Sequence, residues 1–372
     1  MAGRTDRVEH GNERGCGASL SRPSRRRLLT AAAGLAALSS TPSLAANVLD
    51  IMPFAGPAGP LEGGTVGGAA RRPGEPLDGD VAGAVSHLIT DGEQTLIDIA
   101  LERDLGILGI SALNPGVDVW VPGPERFVAL PTAWVLPEHE RRGIIVNLAE
   151  LRLYHFPEPD TVPHVHTIGI GRDGFSTPLG TTTVTRKQAE PTWYPTEATR
   201  ADRPELPAVV PPGPDNPLGR HAIYLGFPTY LIHGTNKPYG VGRRVSRGCI
   251  RMYPDAVATL FDRVPVGLPV RIMDDPIKLG WAGGELFLEV HPDLEQFDEL
   301  EADYTFTPKP APDIRERILA KAGEAHSRLA WDVIDKELVT RRGIPIRITR
   351  AEVASADHRH RSTIPSDFIG IY

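Results

Sequence analysis

GIIVNLAELRLYHF, residues 143–156, decides the fold class. Apolar and polar residues alternate along it around a turn, the period-two pattern of a β-hairpin. Further short strands read outward from it: HVHTIGIG (164–171), GTTTVTRK (180–187), AIYLGF (222–227), YLIH (230–233) and LPVRIMD (268–274), the last as the strand that closes the sheet. One helix follows, from Asp255 to about Val264. With 38 Gly and 36 Pro in 372 residues, turns and short elements are favoured over long helical bundles. The expected fold is therefore mainly β (α+β), with a β-sandwich-like domain over residues 138–275. PELPAVVPPGPDNPLGR (204–220) lies between two of its strands and is too Pro-rich for regular structure. Long ordered loops of this kind often shape binding sites.

Smaller units flank this domain. In residues 87–131, Leu96, Ile99, Ala100 and Leu105 fall near helical spacing after the turn Asp91-Gly92. A second short helix reads over Leu108 to Leu113, Asn114-Pro115-Gly116 breaks it, and Phe127 to Leu130 forms a closing strand. The unit is a small βααβ domain, bounded at 85–133. Residues 46–84, rich in Gly, Pro and Ala, read as a flexible linker. Beyond Pro276, ELFLEVH (285–291) reads as a strand and residues 313–342 carry apolar side chains at helical intervals, so 276–372 is expected to be an accessory, helical C-terminal extension. Nothing repeats at solenoid length.

The first 45 residues read as an export signal. Ser24-Arg25-Arg26-Arg27-Leu28-Leu29 matches the twin-arginine pattern, an Ala-rich run extends to about Ser39, and Ser43-Leu44-Ala45 offers small residues for cleavage. The run is too short and too rich in Ala, Ser and Thr for a membrane span, so none is expected after cleavage, and the protein is expected in the periplasm or cell envelope. Taking away the seven Arg and three acidic residues of this segment leaves 33 basic and 44 acidic side chains, a formal net charge of −11. Such a chain is a poor partner for nucleic acid, which needs a basic surface. Cys16 leaves with the segment, and Cys249 becomes the only thiol. No intramolecular disulfide can then form; the thiol is either a nucleophile or a buried small hydrophobe.

HGTNKPYGVGRRVSRGCIRMYP, residues 233–254, speaks for the nucleophile. A cysteine that attacks a carbonyl needs a base within reach and local positive charge or aligned N–H dipoles. His233, at the end of a strand, can be the base, and Cys249 follows sixteen residues later in the turn Ser246-Arg247-Gly248-Cys249. Gly248 lets backbone amides approach a substrate oxygen, as an oxyanion hole requires. Arg251 favours the thiolate and can clamp a carboxylate bidentately.

HGTN, a glycine-containing loop and then S-x-G-C-x-R resemble the signature of L,D-transpeptidases with the YkuD catalytic domain. The resemblance runs from Gly143 to Asp274 and includes TPLG (177–180), PTWYP (191–195), NPLG (216–219) and YLIHGTN (230–236). The βααβ unit resembles a LysM module, which binds N-acetylglucosamine-containing glycans. The resemblance implies that Cys249 attacks the amide after the diamino acid of a peptidoglycan stem and expels the terminal D-alanine through a thioester. His233, its ring oriented by the carbonyl of Gly234, would move the proton. Ser246 would stabilise the loop, the Gly248 and Cys249 amides would bind the oxyanion, and Arg251 would hold a substrate carboxylate. Arg247, Tyr239, Asn236 and Trp193 complete the expected substrate-binding set. No metal or organic cofactor is implied, and susceptibility to carbapenem acylation is.

One position departs from the family pattern. Arg247 stands where a second histidine is usual, and Arg cannot act as a base at neutral pH. The acceptor stays open at this point: another stem for a 3–3 crosslink, the lysine of a lipoprotein, a free amino acid, or water in carboxypeptidase action. A non-catalytic peptidoglycan-binding protein is the rival from another class. A thiol oxidoreductase lacks a C-x-x-C pair. His164 and His166 share a strand face without a third ligand at a telling spacing, and His358 and His360 read as solvated surface.

Overall fold

The computed structural model describes residues 71–350. The expected export signal (1–45), the linker as far as residue 70, and His358 and His360 lie outside the described residues. The rest of the linker is not free. Strand β1 (Val81–Gly83) pairs with a later strand, the Gly74 amide donates to Val162 O at 2.9 Å, and the Asp80 carboxylate accepts from Arg141 Nη2 at 2.7 Å and from the Trp281 amide at 2.8 Å. Composition alone could not reveal these long-range partners.

The βααβ unit forms as its sequence suggests. β2 (Ser86–Asp91) and β3 (Pro124–Leu130) are antiparallel and enclose helices α1 (Leu96–Glu102) and α2 (Ile107–Leu113). Thr95 and Asp98 cap α1 reciprocally: each side chain takes the other's backbone amide at 3.0 Å. Asn114 is the structural staple. Its buried amide donates to Ile110 O and Ala129 O and accepts from the Ala129 amide, each at 2.8 Å, tying the end of α2 to β3. β4 (Ala133–Val135) then pairs with β1.

A nine-stranded sheet follows, built from β5 (Gly143–Asn147), β6 (Arg152–Phe156), β7 (His164–Gly171), β8 (Gly180–Ala189), β9 (His221–Leu225), β10 (Leu231–His233), β11 (Arg244–Ser246), β12 (Ile250–Met252) and β13 (Pro269–Met273). Its order is β11-β7-β12-β10-β9-β8-β13-β5-β6, and β7 also pairs with β6, so the sheet closes on itself. The expected sandwich is thus sharpened to a barrel-like closed sheet. LPVRIMD does not close it: β13 lies inside the sheet, parallel to β5 and antiparallel to β8. Closure falls to β7, whose residues 164–167 meet β6 while 168 and 169 meet β12. Between β8 and β9 the Pro-rich loop holds one short helix, α3 (Glu197–Asp202); α4 (Pro254–Arg263) buries Ala256, Val257 and Leu260. The apolar core runs without a break from the barrel into α1 and α2. The join is tight, since a Cβ on Gly242 would lie 2.4 Å from Gly106 Cα.

The C-terminal region is less helical than expected. β14 (Ile277–Ala282), β15 (Glu285–Val290), α5 (Leu294–Asp303), α6 (Ile314–Ala322), α7 (Trp331–Thr340) and β16 (Ile346–Arg347) include a three-stranded sheet with its own small core. Gly323, at φ 53°, ends α6 and splits the helical stretch in two. α5, started by a capping box between Asp293 and Gln296, buries Phe297 and Leu300 in the barrel's core.

A buried ionic cluster fastens this region to the barrel. Lys278 Nζ lies 2.8 Å from Glu150 Oε2, Arg152 Nη1 lies 2.8 Å from Glu289 Oε1, and His291 Nε2 meets the same Glu289 oxygen at 2.7 Å. Glu289 is fully buried, and Tyr154 donates its hydroxyl proton to Glu150. Removing one member of such a set strands an opposite charge in low dielectric. Lys278→Ala is therefore expected to lower the unfolding free energy by about 3–5 kcal/mol in urea titrations. Breaking the exposed Arg315–Asp335 pair with Asp335→Asn should leave the urea midpoint almost unmoved.

Candidate active site

The site is assembled by one parallel pairing. β10 and β12 lie side by side with Ile232 opposite Ile250 and His233 opposite Arg251. Side chains alternate along a strand, so the two isoleucines enter the core while His233, Arg251 and Cys249, two residues before Arg251, share the other face. The sequence motif thus becomes a single cluster.

The turn leading to Cys249 is held from inside. Ser246 Oγ donates to Cys249 O at 2.6 Å and accepts the Gly248 amide at 3.1 Å. Thr177 Oγ1 donates to Gly248 O at 2.9 Å and accepts the Gly171 amide at 3.2 Å. Gly248 has φ 102°, and a Cβ there would sit 2.7 Å from Tyr230 Cε1, so only glycine fits. In this structure the Gly248 N–H is given to Ser246 Oγ, and the Ser246 hydroxyl links both ends of the turn.

His233 is buried, and its Nδ1 donates to Gly234 O at 2.6 Å, the partner expected. The neutral ring then carries its proton on Nδ1 and leaves Nε2 as the acceptor. Burial, helped by the Arg251 charge, holds the imidazole down at about 3, against the opposing pull of the Gly234 and Leu218 carbonyls. The Cys249 thiol is pushed up by burial, which the Leu231 amide and the Arg251 charge oppose. Its Sγ donates to Thr229 O at 3.6 Å. Burial thus biases both the thiol and the imidazole toward their neutral forms.

Arg251 stands out among the charges. Burial lowers its affinity for the proton, its Nε has no hydrogen-bond partner, and it forms no ion pair among the described residues. A half-buried guanidinium without a counterion is a receptor for an anion.

The other expected residues spread around this centre. Arg247 does not point free for substrate: it pairs with Asp202 of α3 and stacks its guanidinium 4.6 Å from the centre of the Phe175 ring, which lies 4.8 Å from the Arg172 guanidinium carbon. Tyr239 is exposed and lines a small cavity with Ile97 and Leu101 of α1, at the join with the βααβ unit. Asn236 is exposed, and Trp193 is engaged through its backbone, in a two-way bridge to Val210 at 2.9 Å. These three are not brought to the sulfur by any contact in the structure.

Residues that sequence reasoning passed over do much of the positioning. Asn216, fully buried, donates to Pro191 O at 2.7 Å and accepts the Leu218 amide at 2.9 Å, so NPLG pins the Pro-rich loop; Thr177 of TPLG does the same for the cysteine turn. Thr229 is β-branched yet has φ 69°, a conformation of stored strain directly behind the thiol. Only TPLG and NPLG gave a signal for this.

His164 and His166 do not act together. The first stacks on His155 with ring centres 5.8 Å apart, and the second meets Asp104 at 3.2 Å. Glu150, Glu289 and His291 bring ligand atoms within 4.8 Å of one another, but Lys278 and Arg152 already fill that space with positive charge. Among the described residues no helix is long and apolar enough to cross a membrane.

With the geometry in hand, comparison with known proteins becomes specific. The YkuD profile, described as the L,D-transpeptidase catalytic domain, matches residues 141–272. The probable L,D-transpeptidase ErfK/SrfK of Escherichia coli strain K12 is 41% identical over 263 residues, which cover 69% of this chain and 83% of that one. The chain belongs to the L,D-transpeptidase family. It is an acyltransferase of that family, and the likeness extends beyond the catalytic domain. YcfS of the same organism, also named a probable L,D-transpeptidase, is 38% identical over 277 residues, 72% of this chain and 84% of that one. YbiS is 36% identical over 282 residues, with 73% and 90% covered.

Two measurements test the geometry. A thiol pushed up by burial holds less thiolate at neutral pH than a free cysteine, so alkylation of Cys249 by iodoacetamide should be slow at pH 7. It should still be rising with pH beyond the ordinary thiol range; a plateau below pH 7 would reveal a preformed ion pair. Gly248→Ala should cut D-alanine release at least about tenfold while far-ultraviolet circular dichroism stays native, because the new methyl meets Tyr230 across the turn.

Proposed function

We propose that this L,D-transpeptidase acts through Cys249 as nucleophile and His233 as base. The donor would be a peptidoglycan tetrapeptide stem and the acceptor an amine. The single observation that supports the reading is the register of β10 against β12, in which His233, its Nδ1 bonded to Gly234 O, lies opposite Arg251, two residues beyond the only described thiol.

On this reading, Cys249 Sγ attacks the diamino acid's own carbonyl carbon, in the amide to D-alanine, as its proton passes to His233 Nε2, and the carbonyl π electrons move to oxygen. Collapse of the tetrahedral adduct breaks the C–N bond. The departing D-alanine amine takes the proton from His233, leaving a thioester on Cys249. The acceptor amine then attacks the thioester while His233 takes its proton, and collapse returns the thiol and a new amide. Arg251 would hold a carboxylate of the stem, because it forms no ion pair among the described residues and its Nε has no hydrogen-bond partner there. Since burial biases both thiol and imidazole toward their neutral forms, the proton moves with attack rather than before it, which guards the sulfur from adventitious chemistry.

The export signal read at the N-terminus, the likeness of residues 85–133 to a LysM module and the character of the substrate together favour work in the periplasm or cell envelope. A lipoprotein lysine and a second stem remain alternative amine acceptors within the same mechanism, and carbapenems would acylate the same sulfur.

The direct test is incubation of the protein with a purified tetrapeptide-stem muropeptide and an amine acceptor. D-alanine release and a new amide are expected, both abolished in Cys249→Ala. His233→Gln should lower the rate by about 10²–10⁴-fold, and mass spectrometry of acid-quenched wild type should find the acyl group on Cys249. Turnover that survives in Cys249→Ala would overturn the assignment.

A further inference from the structure

Five arginines belong to the strands and turn around Cys249 or to the segment bonded to them, and three of the five are matched by a carboxylate. Arg243 pairs with Glu301, Arg244 with Asp298 and Arg247 with Asp202. Arg251 and Arg172 are left without an ion pair among the described residues. Arg251 serves the stem in the mechanism above. Arg172 is exposed and has no part in it.

The backbone of Arg172 is fastened to the cysteine turn. Its N–H donates to Ser246 O at 3.0 Å, and a Cβ on the preceding Gly171 would lie 3.1 Å from Gly248 Cα. The Arg172 carbonyl accepts the Phe175 amide at 2.9 Å and closes a tight turn whose third residue, Gly174, has φ 74°. That reversal brings the Phe175 ring back to its own arginine, whose guanidinium carbon stacks 4.8 Å from the ring centre. Arg247 stacks on the same ring at 4.6 Å. Stacking restricts the side chain while its N–H edge stays free to donate. Ser246 and Cys249 are three residues apart, at most roughly 10 Å of chain, so an arginine side chain anchored at Ser246 reaches the surroundings of the scissile amide.

We propose that Arg172 determines specificity on the leaving-group side: it holds the carboxylate beside the departing amine and, once the thioester has formed, a carboxylate beside the incoming one. The terminal D-alanine of the donor carries its free carboxylate two bonds from the nitrogen that leaves. His233 Nε2 gives that nitrogen its proton and later takes one from the acceptor, so both amines meet the same atom and set their substituents in the same surroundings. A cation that recognises the first therefore selects the second. Acceptors with a carboxylate next to the attacking amine, as in an α-amino acid, are favoured over a bare amine such as a lysine within a protein chain. Two unmatched cations then serve two carboxylates, Arg251 that of the stem and Arg172 that of the leaving and entering groups. The inference rests on the transpeptidase reading above and extends it to the choice of acceptor.

Competition between two acceptors for one acyl-enzyme tests it. The full chain is given a purified tetrapeptide-stem muropeptide with equimolar D-methionine and D-methioninamide, and the two exchange products are weighed by mass spectrometry. Arg172→Gln should lower the ratio of acid to amide product by about tenfold or more relative to wild type, and the comparison cancels the different basicities of the two amines. The ratio is set after the thioester forms, so neither slower acylation nor a role confined to bracing the turn would move it. Arg172→Lys, which keeps the charge, should retain most of the preference. A ratio unchanged in Arg172→Gln overturns the proposal, and so does one that falls only in Arg251→Gln. Calorimetric titration of Cys249→Ala with the muropeptide and with its C-terminal amide separates this inference from the reading beneath it. Tighter binding of the acid, lost when Arg172→Gln is added, supports the subsite even where wild type releases no D-alanine, an outcome that sinks the transpeptidase assignment alone. Equal binding of acid and amide, with D-alanine release intact in wild type, sinks the subsite alone.

Discussion

The parallel contact between β10 and β12 is the interaction on which the site depends. Two strands of three residues each are far too short to be stable by themselves. They hold because Ile232 and Ile250 plug the barrel core and because β9 and β7 flank them on either side. A slip of one residue would send His233 and Cys249 into the core and bring the isoleucines out. Barrel closure through β7 is therefore not a decorative feature of the architecture. It is what prevents that slip, since β7 grips β12 at residues 168 and 169 and the β11 end of the cysteine turn at 170 and 171.

Electrostatics at the site follow from burial more than from charge. His233 and Cys249 are each driven toward the neutral form by loss of water, while Arg251 remains charged in the same surroundings with no counterion among the described residues. Such an arrangement has a tension that an incoming carboxylate relieves. Arg247, by contrast, is satisfied by Asp202 and Phe175. It tethers the cysteine turn to the loop that carries α3, and the place where the family pattern expects histidine becomes a brace between two loops.

Much of this was legible in the sequence, for identifiable reasons. Alternation in residues 143–156, the helical spacing of Leu96, Ile99 and Ala100 and the break at Asn114 are local signals, and local signals survive in a linear reading. HGTN followed by S-x-G-C-x-R marked the residues of the proposed centre, and the Gly234 carbonyl partner of His233 was foreseen. What escaped depends on contacts distant in sequence. Reading ELFLEVH as a strand could not tell that Glu289 meets Lys278 of IKLGWA in the interior, where both side chains are buried. α5, LEQFDELEAD, hides two core residues among five acids. The Gly248 amide was expected to meet the substrate because glycine suggests access; in this structure Ser246 Oγ accepts it.

The ionic cluster also bears on where this polypeptide can be cut. A conventional boundary at residue 275 separates Arg152 and Glu150 on one fragment from Lys278, Glu289 and His291 on the other. Each piece would keep ionised groups shaped for a dry interior and would have to hydrate them. The matched segment of the family profile is thus a unit of descent but not a unit of folding autonomy in this chain. Insertions, tags and fusions belong in the exposed turn at Gly283-Gly284, where a glycine Cβ would meet no neighbour within 4 Å, and not at the edge of the catalytic domain.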